Sequence, residues 1–221
     1  MIKIVIFDSG YGGENFADQL ETELPTTEII RVIDWRNADD ILESSKRARF
    51  RAEKALLPFI GKVDLIIFAN YLLSATSLKY FCKKYKNQKF IGFTLKPKRV
   101  ISDKPMLVLT TKAVARSLPY FNIAHRSNTR TVCLDRWPGL IDDGELSKSN
   151  FEKDLEFATN KIKKFVPKQI FLGCSQFTEL TPEFRKFFGH NVRIIDSFND
   201  AINDTYKALN IRGRSGKKSN L

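Results

Sequence analysis

Short, unbroken apolar runs that end on a small or polar residue, each followed by a helical pattern, constrain this chain more than any other feature. "IKIVIF", "TEIIRVID", "VDLIIFAN", "KFIGFT", "PMLVLTT", "TRTVCLD", "KQIFLGC" and "NVRIID" recur along its 221 residues. A strand with one wet face alternates apolar and polar residues. Continuous branched runs separated by helices instead predict strands buried on both faces, hence parallel sheets covered by helices. Helices are expected from about Glu14 to Leu24, about Asp39 to Phe59, after "IIFAN", about Asn150 to Phe165, and after Pro182.

The second half echoes the first. "VDLIIFAN" and "KQIFLGC" both end in a small residue and a polar group before a helix, and "IVIFDSG" and "LVLTTKA" match more loosely. The expectation is an α/β protein of two pseudo-symmetric, doubly wound domains with parallel sheets and a cleft between them. The break falls near "TLKPKRV", dividing the chain into 1–95, 96–205 and a C-terminal segment 206–221. Ligands of open α/β sheets bind at the carboxyl ends of strands. The polar groups there are Asp8, Ser9, Asn70, Thr110, Thr111, Cys174, Ser175 and Asp196.

Composition narrows the classes. At 43% hydrophobic residues, a core forms without staples. Three scattered cysteines and two histidines build neither a disulfide framework nor a metal cluster. No metal or cofactor is expected, and the odd cysteine count fits a reducing, cytoplasmic setting. No run reaches membrane-spanning length, and "MIKIVIFDSG" reads as a strand entering a turn, not as a signal peptide. The formal charge is +12, and the tail "IRGRSGKKSNL", a composition typical of disorder, supplies four of those cations, leaving +8. Without a nucleic-acid module, this charge points to solubility or to attraction of small anions, and nucleic acid is not an expected partner.

Two segments invite chemistry. "FDSGYGG" lacks the Gly-Lys-Ser/Thr of a phosphate loop. As a phosphoaspartate site it would want an acid at Gly10. It remains either an anion-holding turn at a helix N-terminus or a tight strand-to-helix turn. In "LGCSQFTEL", Gly173 permits close backbone approach and puts Cys174 near a helix N-terminus. That field would lower the thiol's pKa from its free value of about 8.5. Cys82 and Cys133 lie inside a helix and a strand and read as inert.

Taken together and in order, "IVIFDSGYGG", "IIFAN", "LTTKAVARS", "CLDRWPGLIDDG", "IFLGCSQFTEL" and "IIDS" resemble glutamate racemases over residues 2 to 205. The chain is identified on these motifs as a member of the aspartate/glutamate racemase superfamily. The resemblance implies a cofactor-free protein acting on glutamate or aspartate, with a small carboxylate or amino acid as ligand and a homodimer left open. Two cysteines flank the substrate α-carbon in that family. One thiolate removes the proton, and the other thiol delivers one to the opposite face. By the same resemblance Cys174 is the second cysteine, Asp8 assists the first base, and Ser9, Asn70, Tyr71, Thr111, Ser175 and Gln176 line the substrate.

The departures cluster at the chemistry. The resemblance sets Ala69 where the first cysteine belongs and Tyr71 where a threonine follows. Val114 replaces a second threonine, and Gln176 replaces the histidine after Cys174. Ala38, Asp39 and Asp40 fall on the family's Pro-Tyr-Gly turn, and Asp142 is the candidate for its acid. Tyr71 is a poor base and a tolerable acid, or it fills space. One thiol also suits a decarboxylase or isomerase of another carboxylate, in which a carbanion is protonated from one side, or a protein that only binds its ligand.

Overall fold

The computed structural model describes residues 1–34, 45–95, 103–117, 128–160, 162 and 165–211. The basic tail from residue 212, residues 38–40 and the start of the charged helix expected near Asp39 lie outside them.

In the first lobe β1 (Lys3–Asp8), α1 (Tyr11–Glu23), β2 (Glu28–Ile33), α2 (Ser45–Leu56), β3 (Leu65–Phe68), α3 (Tyr71–Thr76), α4 (Leu78–Lys84) and β4 (Phe90–Gly92) follow in turn. The second holds β5 (Met106–Thr110), α5 (Lys112–Ala115), β6 (Thr129–Cys133), α6 (Trp137–Asp142), α7 (Lys148–Asn160), β7 (Gln169–Gly173), a 3₁₀ helix (Ser175–Leu180), α8 (Thr181–Phe188) and β8 (Arg193–Ile195). Helix α9 (Phe198–Leu209) closes the described chain.

Both sheets are parallel and share one strand order, β2-β1-β3-β4 and β6-β5-β7-β8. The chain therefore reverses its winding between β1 and β3, and again between β5 and β7. Those switch points open a crevice at the strands' carboxyl ends. Strands β3, β5 and β7 are buried throughout, as their unbroken apolar runs require.

Strand alternation divides the core. Met106, Val108 and Phe171 join the first lobe's core, while Leu107, Leu109, Ile170 and Leu172 pack outward with Trp137, Phe151, Phe177 and Phe184. After β8 the chain returns to the first lobe. Phe198 of α9 stacks edge-on to Phe16 at 5.2 Å and lies 5.3 Å from Phe93. The sequence reading named neither α6 nor α9, although α9 carries a helical stripe of Phe198, Ala201, Ile202 and Thr205. The single helix expected after β3 is two, parted at Ser77, which ends α3 and precedes α4. Ser74 and Thr76 each donate to the carbonyl four residues back, at 2.7 Å, a bond that bends helices. No described helix is long and apolar enough to cross a membrane.

Candidate active site

The two switch points face each other. Between them lies a cleft of about 210 Å³ walled by Ser9, Asn70 and Tyr71 from one lobe and Thr111, Cys174, Ser175 and Gln176 from the other. It is smaller than the roughly 300–1,000 Å³ of drug-sized sites and suits a small metabolite. A larger hollow of about 520 Å³ adjoins it and shares Asp135 and Arg136, but none of the strand-end polar groups except through them.

The glycines of "FDSGYGG" set how closely the lobes meet. A Cβ on Gly10 would lie 2.3 Å from Gln176 Nε2 and 2.6 Å from Asp142 Oδ2, and one on Gly12 would lie 2.2 Å from Ser175 Cβ. The turn does hold an anion, and it is the protein's own: Tyr11 N–H at the start of α1 donates to Asp142 Oδ1 at 3.1 Å. Asn15 of α1 donates to Glu179 on the 3₁₀ helix, closing the same seam.

Asp8 ends β1, almost wholly buried one layer behind the cleft wall. Its Oδ1 accepts from Ser9 N–H at 2.6 Å and Asn70 Nδ2 at 2.8 Å, and its Oδ2 accepts from Ser175 Oγ across the seam at 3.0 Å. Burial outweighs these donors, and with Asp142 nearby the carboxyl is pushed up to about 7. Asp142 is raised too, chiefly by burial.

Cys174 is 8% exposed and lines the cleft. The expected lowering of its pKa does not occur. Burial pushes the thiol well above its ordinary range, Asp8 and Asp142 add to the rise, and the Gln176 and Phe177 N–H groups oppose it without prevailing. The following helix is a 3₁₀ segment of six residues, too short to supply a strong field. The thiol donates to Gln176 Oε1 at 3.0 Å, and Gln176 Nε2 donates to Asp142 Oδ2 at 3.3 Å. Gln176 thus links thiol and acid by hydrogen bonds, but a neutral amide passes no proton between them.

Several proteins share this architecture and sequence. The glutamate racemase of Lactococcus lactis subsp. cremoris is 26% identical over 215 residues, covering 94% of this chain and 79% of that protein. Glutamate racemase 2 of Bacillus subtilis is 26% identical, covering 99% and 86%. The solved glutamate racemase of Escherichia coli superposes with a TM-score of 0.82 at 19% identity, covering 99% of this chain and 86% of that one. No family model matches the chain. In sequence the chain is similar to glutamate racemases, and it shares its fold with solved glutamate, allantoin and aspartate racemases.

Within this fold, the internal two-fold repeat gives each strand end a counterpart. Thr110 pairs with Gly173, and Cys174 then caps the 3₁₀ helix with extended backbone. Phe7 pairs with Phe68, Ala69 N–H extends that ladder to Phe7 O at 2.9 Å, and Asn70 then caps α3 with extended backbone. Ala69 therefore answers to Gly173, and Asn70 answers to Cys174. The resemblance set Ala69 opposite the thiol, but Ala69 is fully buried and does not line the cleft. A shift of one residue is invisible in a lone sequence, whereas a hydrogen-bonded ladder resolves it. Either way no thiol stands there. Asn70 donates to Asp8 and to Ser9 Oγ at 3.3 Å, and accepts from Leu73 N–H at 3.0 Å.

Tyr71 lines the cleft but is braced. Its hydroxyl accepts from Ser197 N–H at 3.0 Å, and its ring packs on Phe93 and Phe171 from opposite lobes. Burial and then Asp196 raise its pKa far above neutrality, so it is no acid–base group at pH 7. Thr111 caps α5 at the cleft wall, and Val114 lines the cleft beside it. Thr110 and Asp196, also strand-end candidates, serve structure. Thr110 Oγ1 donates to Gly173 O at 2.9 Å, and Asp196 accepts from Phe198 N–H at 2.8 Å.

Sequence reading missed Asp135, Arg136 and Gly139, which the start of α6 brings to the cleft. Arg136, exposed at the mouth, is the one basic side chain lining it among the described residues. The signal lay inside "CLDRWPGLIDDG", where nothing periodic announces a helix.

Proposed function

We propose that the cleft binds a small amino acid with carboxylate groups, glutamate or aspartate, and that Cys174 exchanges its α-proton from one face only. The observation that carries this reading is the pairing of a thiol, Cys174, with an amide, Asn70, at symmetric places on the two walls. Inversion needs a proton-transfer group on each face, because a lone base that returns its own proton regenerates the starting enantiomer. The solved E. coli relative holds L-glutamate, and that of Francisella tularensis holds D-glutamate, which supports the ligand class. Arg136 at the mouth suits a carboxylate. A bound α-ammonium near Asp8 and Asp142 would offset the negative charge that adds to the burial-driven rise of Cys174, and so would favour the thiolate.

The test is proton NMR in deuterium oxide with each enantiomer of glutamate and aspartate, followed by chiral analysis. Expected is loss of the α-proton signal with retained configuration, absent in Cys174→Ser. Asn70→Cys should raise racemisation, whereas Ala69→Cys should not, since Ala69 faces away from the cleft. Racemisation by the unaltered chain, or α-proton exchange that survives Cys174→Ser, would defeat the reading.

A second reading rests on the thiol being held protonated by burial and donating to Gln176 Oε1. Such a group is ready to quench a carbanion made by loss of carbon dioxide from a malonate-type acid. Carbon dioxide release, with one deuterium placed on a single face, distinguishes it. Ligand-induced stabilisation without turnover, unchanged in Cys174→Ser, would mark a binding protein.

A further inference from the structure

Residues 45 to 89 hold eleven Lys and Arg against two acids, Glu53 and Asp64, so one fifth of the chain supplies +9 of the +12. Eight of the eleven lie on helices α2 and α4, which contact each other through their side chains. Helix α2 turns Ala48, Ala52 and Leu56 into the core. Its other side presents Lys46, Phe50 and Lys54, and Leu57, one residue past its end, continues the stripe. Phe50 is 64% exposed and Leu57 56%. Helix α4 lies alongside. The Arg49 guanidinium sits 4.4 Å over the Tyr80 ring, and Glu53 accepts from Lys84 and Tyr85. Asp64 accepts from Lys3 N–H at 2.8 Å, so both acids already have partners. Lys79 and Lys83 of α4 extend the exposed charge.

We propose that this α2–α4 face docks on anionic lipid surfaces, with Phe50 and Leu57 entering the headgroup boundary and the flanking lysines meeting the lipid phosphates. Phosphate attraction alone explains the lysines. It does not explain a large aliphatic side chain held in water among them, whereas interfacial helices pair Phe or Leu with Lys and Arg in this way. The surface lies apart from the Cys174 cleft, and the inference stands whether or not the proposed chemistry does.

The experiment is co-sedimentation of the full chain with vesicles of phosphatidylcholine alone and of equal parts phosphatidylcholine and phosphatidylglycerol. Binding is expected only to the mixed vesicles and should be lost as salt rises to about 0.5 M. Phe50→Ser with Leu57→Ser, and separately Lys79→Glu with Lys83→Glu, should each weaken partitioning about tenfold or more. These side chains are exposed, so circular dichroism should be unchanged. Serine at Arg212, Arg214, Lys217 and Lys218 should leave binding in place. The proposal is overturned if anionic vesicles are not bound at low salt, or if the tail variant alone abolishes binding. It is also overturned if the Phe50/Leu57 variant binds as well as the parent. Tighter binding to a single-stranded oligonucleotide than to the vesicles, indifferent to Phe50 and Leu57, would assign the face to nucleic acid instead.

Discussion

Replacing Asp8 by asparagine isolates the cost of one buried charge. The asparagine keeps the carboxyl's shape. Its Oδ1 can still accept from Ser9 N–H and Asn70, and its Nδ2 can donate to Ser175 Oγ where the carboxylate now accepts. Only the ionisation is lost. Burial raises Asp8 from 3.8 to about 7. The unfolded chain therefore releases this proton near pH 4, and the native state holds it until near pH 7. Between those values the native state binds more protons, so this group makes stability fall as pH rises, and the loss is complete above about pH 7. A rise from 3.8 to about 7 amounts to roughly 4 kcal/mol at pH 8. Asp8→Asn escapes that loss. Urea denaturation at several pH values should show the variant gaining on the parent by roughly 2–3 kcal/mol between pH 5 and pH 8. Subtracting the two profiles cancels every other titrating group. Parallel profiles, or a parent that gains on the variant as pH rises, would refute the argument.

Gly12→Ala should press a methyl group into Ser175 across the seam, where the contact would be 2.2 Å. A loss of about 1–3 kcal/mol or more is expected in urea denaturation. Tyr71→Phe keeps the ring between Phe93 and Phe171 but strips the acceptor from the buried Ser197 N–H. It should cost about 1–3 kcal/mol with an unchanged denaturant slope. Lost turnover at unchanged stability would instead assign the hydroxyl a chemical task.

Much of the architecture was legible before any coordinates. Continuous apolar runs such as "DLIIF" and "MLVLT" can hide from water only in a sheet covered on both faces, and the echo between halves predicted two similar α/β domains, though not their strand order. Helix α6 was not legible, and α9 was passed over although its apolar residues recur at helical spacing. The first begins at Trp137-Pro138 and runs only six residues. The second owes its place to Phe16 and Phe93, residues more than a hundred positions away in the chain.

At the cleft, the sequence named Ser9, Asn70, Tyr71, Thr111, Cys174, Ser175 and Gln176, which line it, and Asp8, which lies behind its wall, but not Asp135, Arg136 or Gly139. The named residues stand at strand ends or in the first turn of the helix that follows. Their ionisation and partnering were decided by tertiary structure. A helix terminus read from sequence predicts an acidified thiol, yet desolvation and two neighbouring carboxyls reverse the sign, because burial is a property of the assembled lobes. Which residue answers to Cys174 in the repeat was decided in the same way: register is a relation between strands, and one strand's sequence does not contain it.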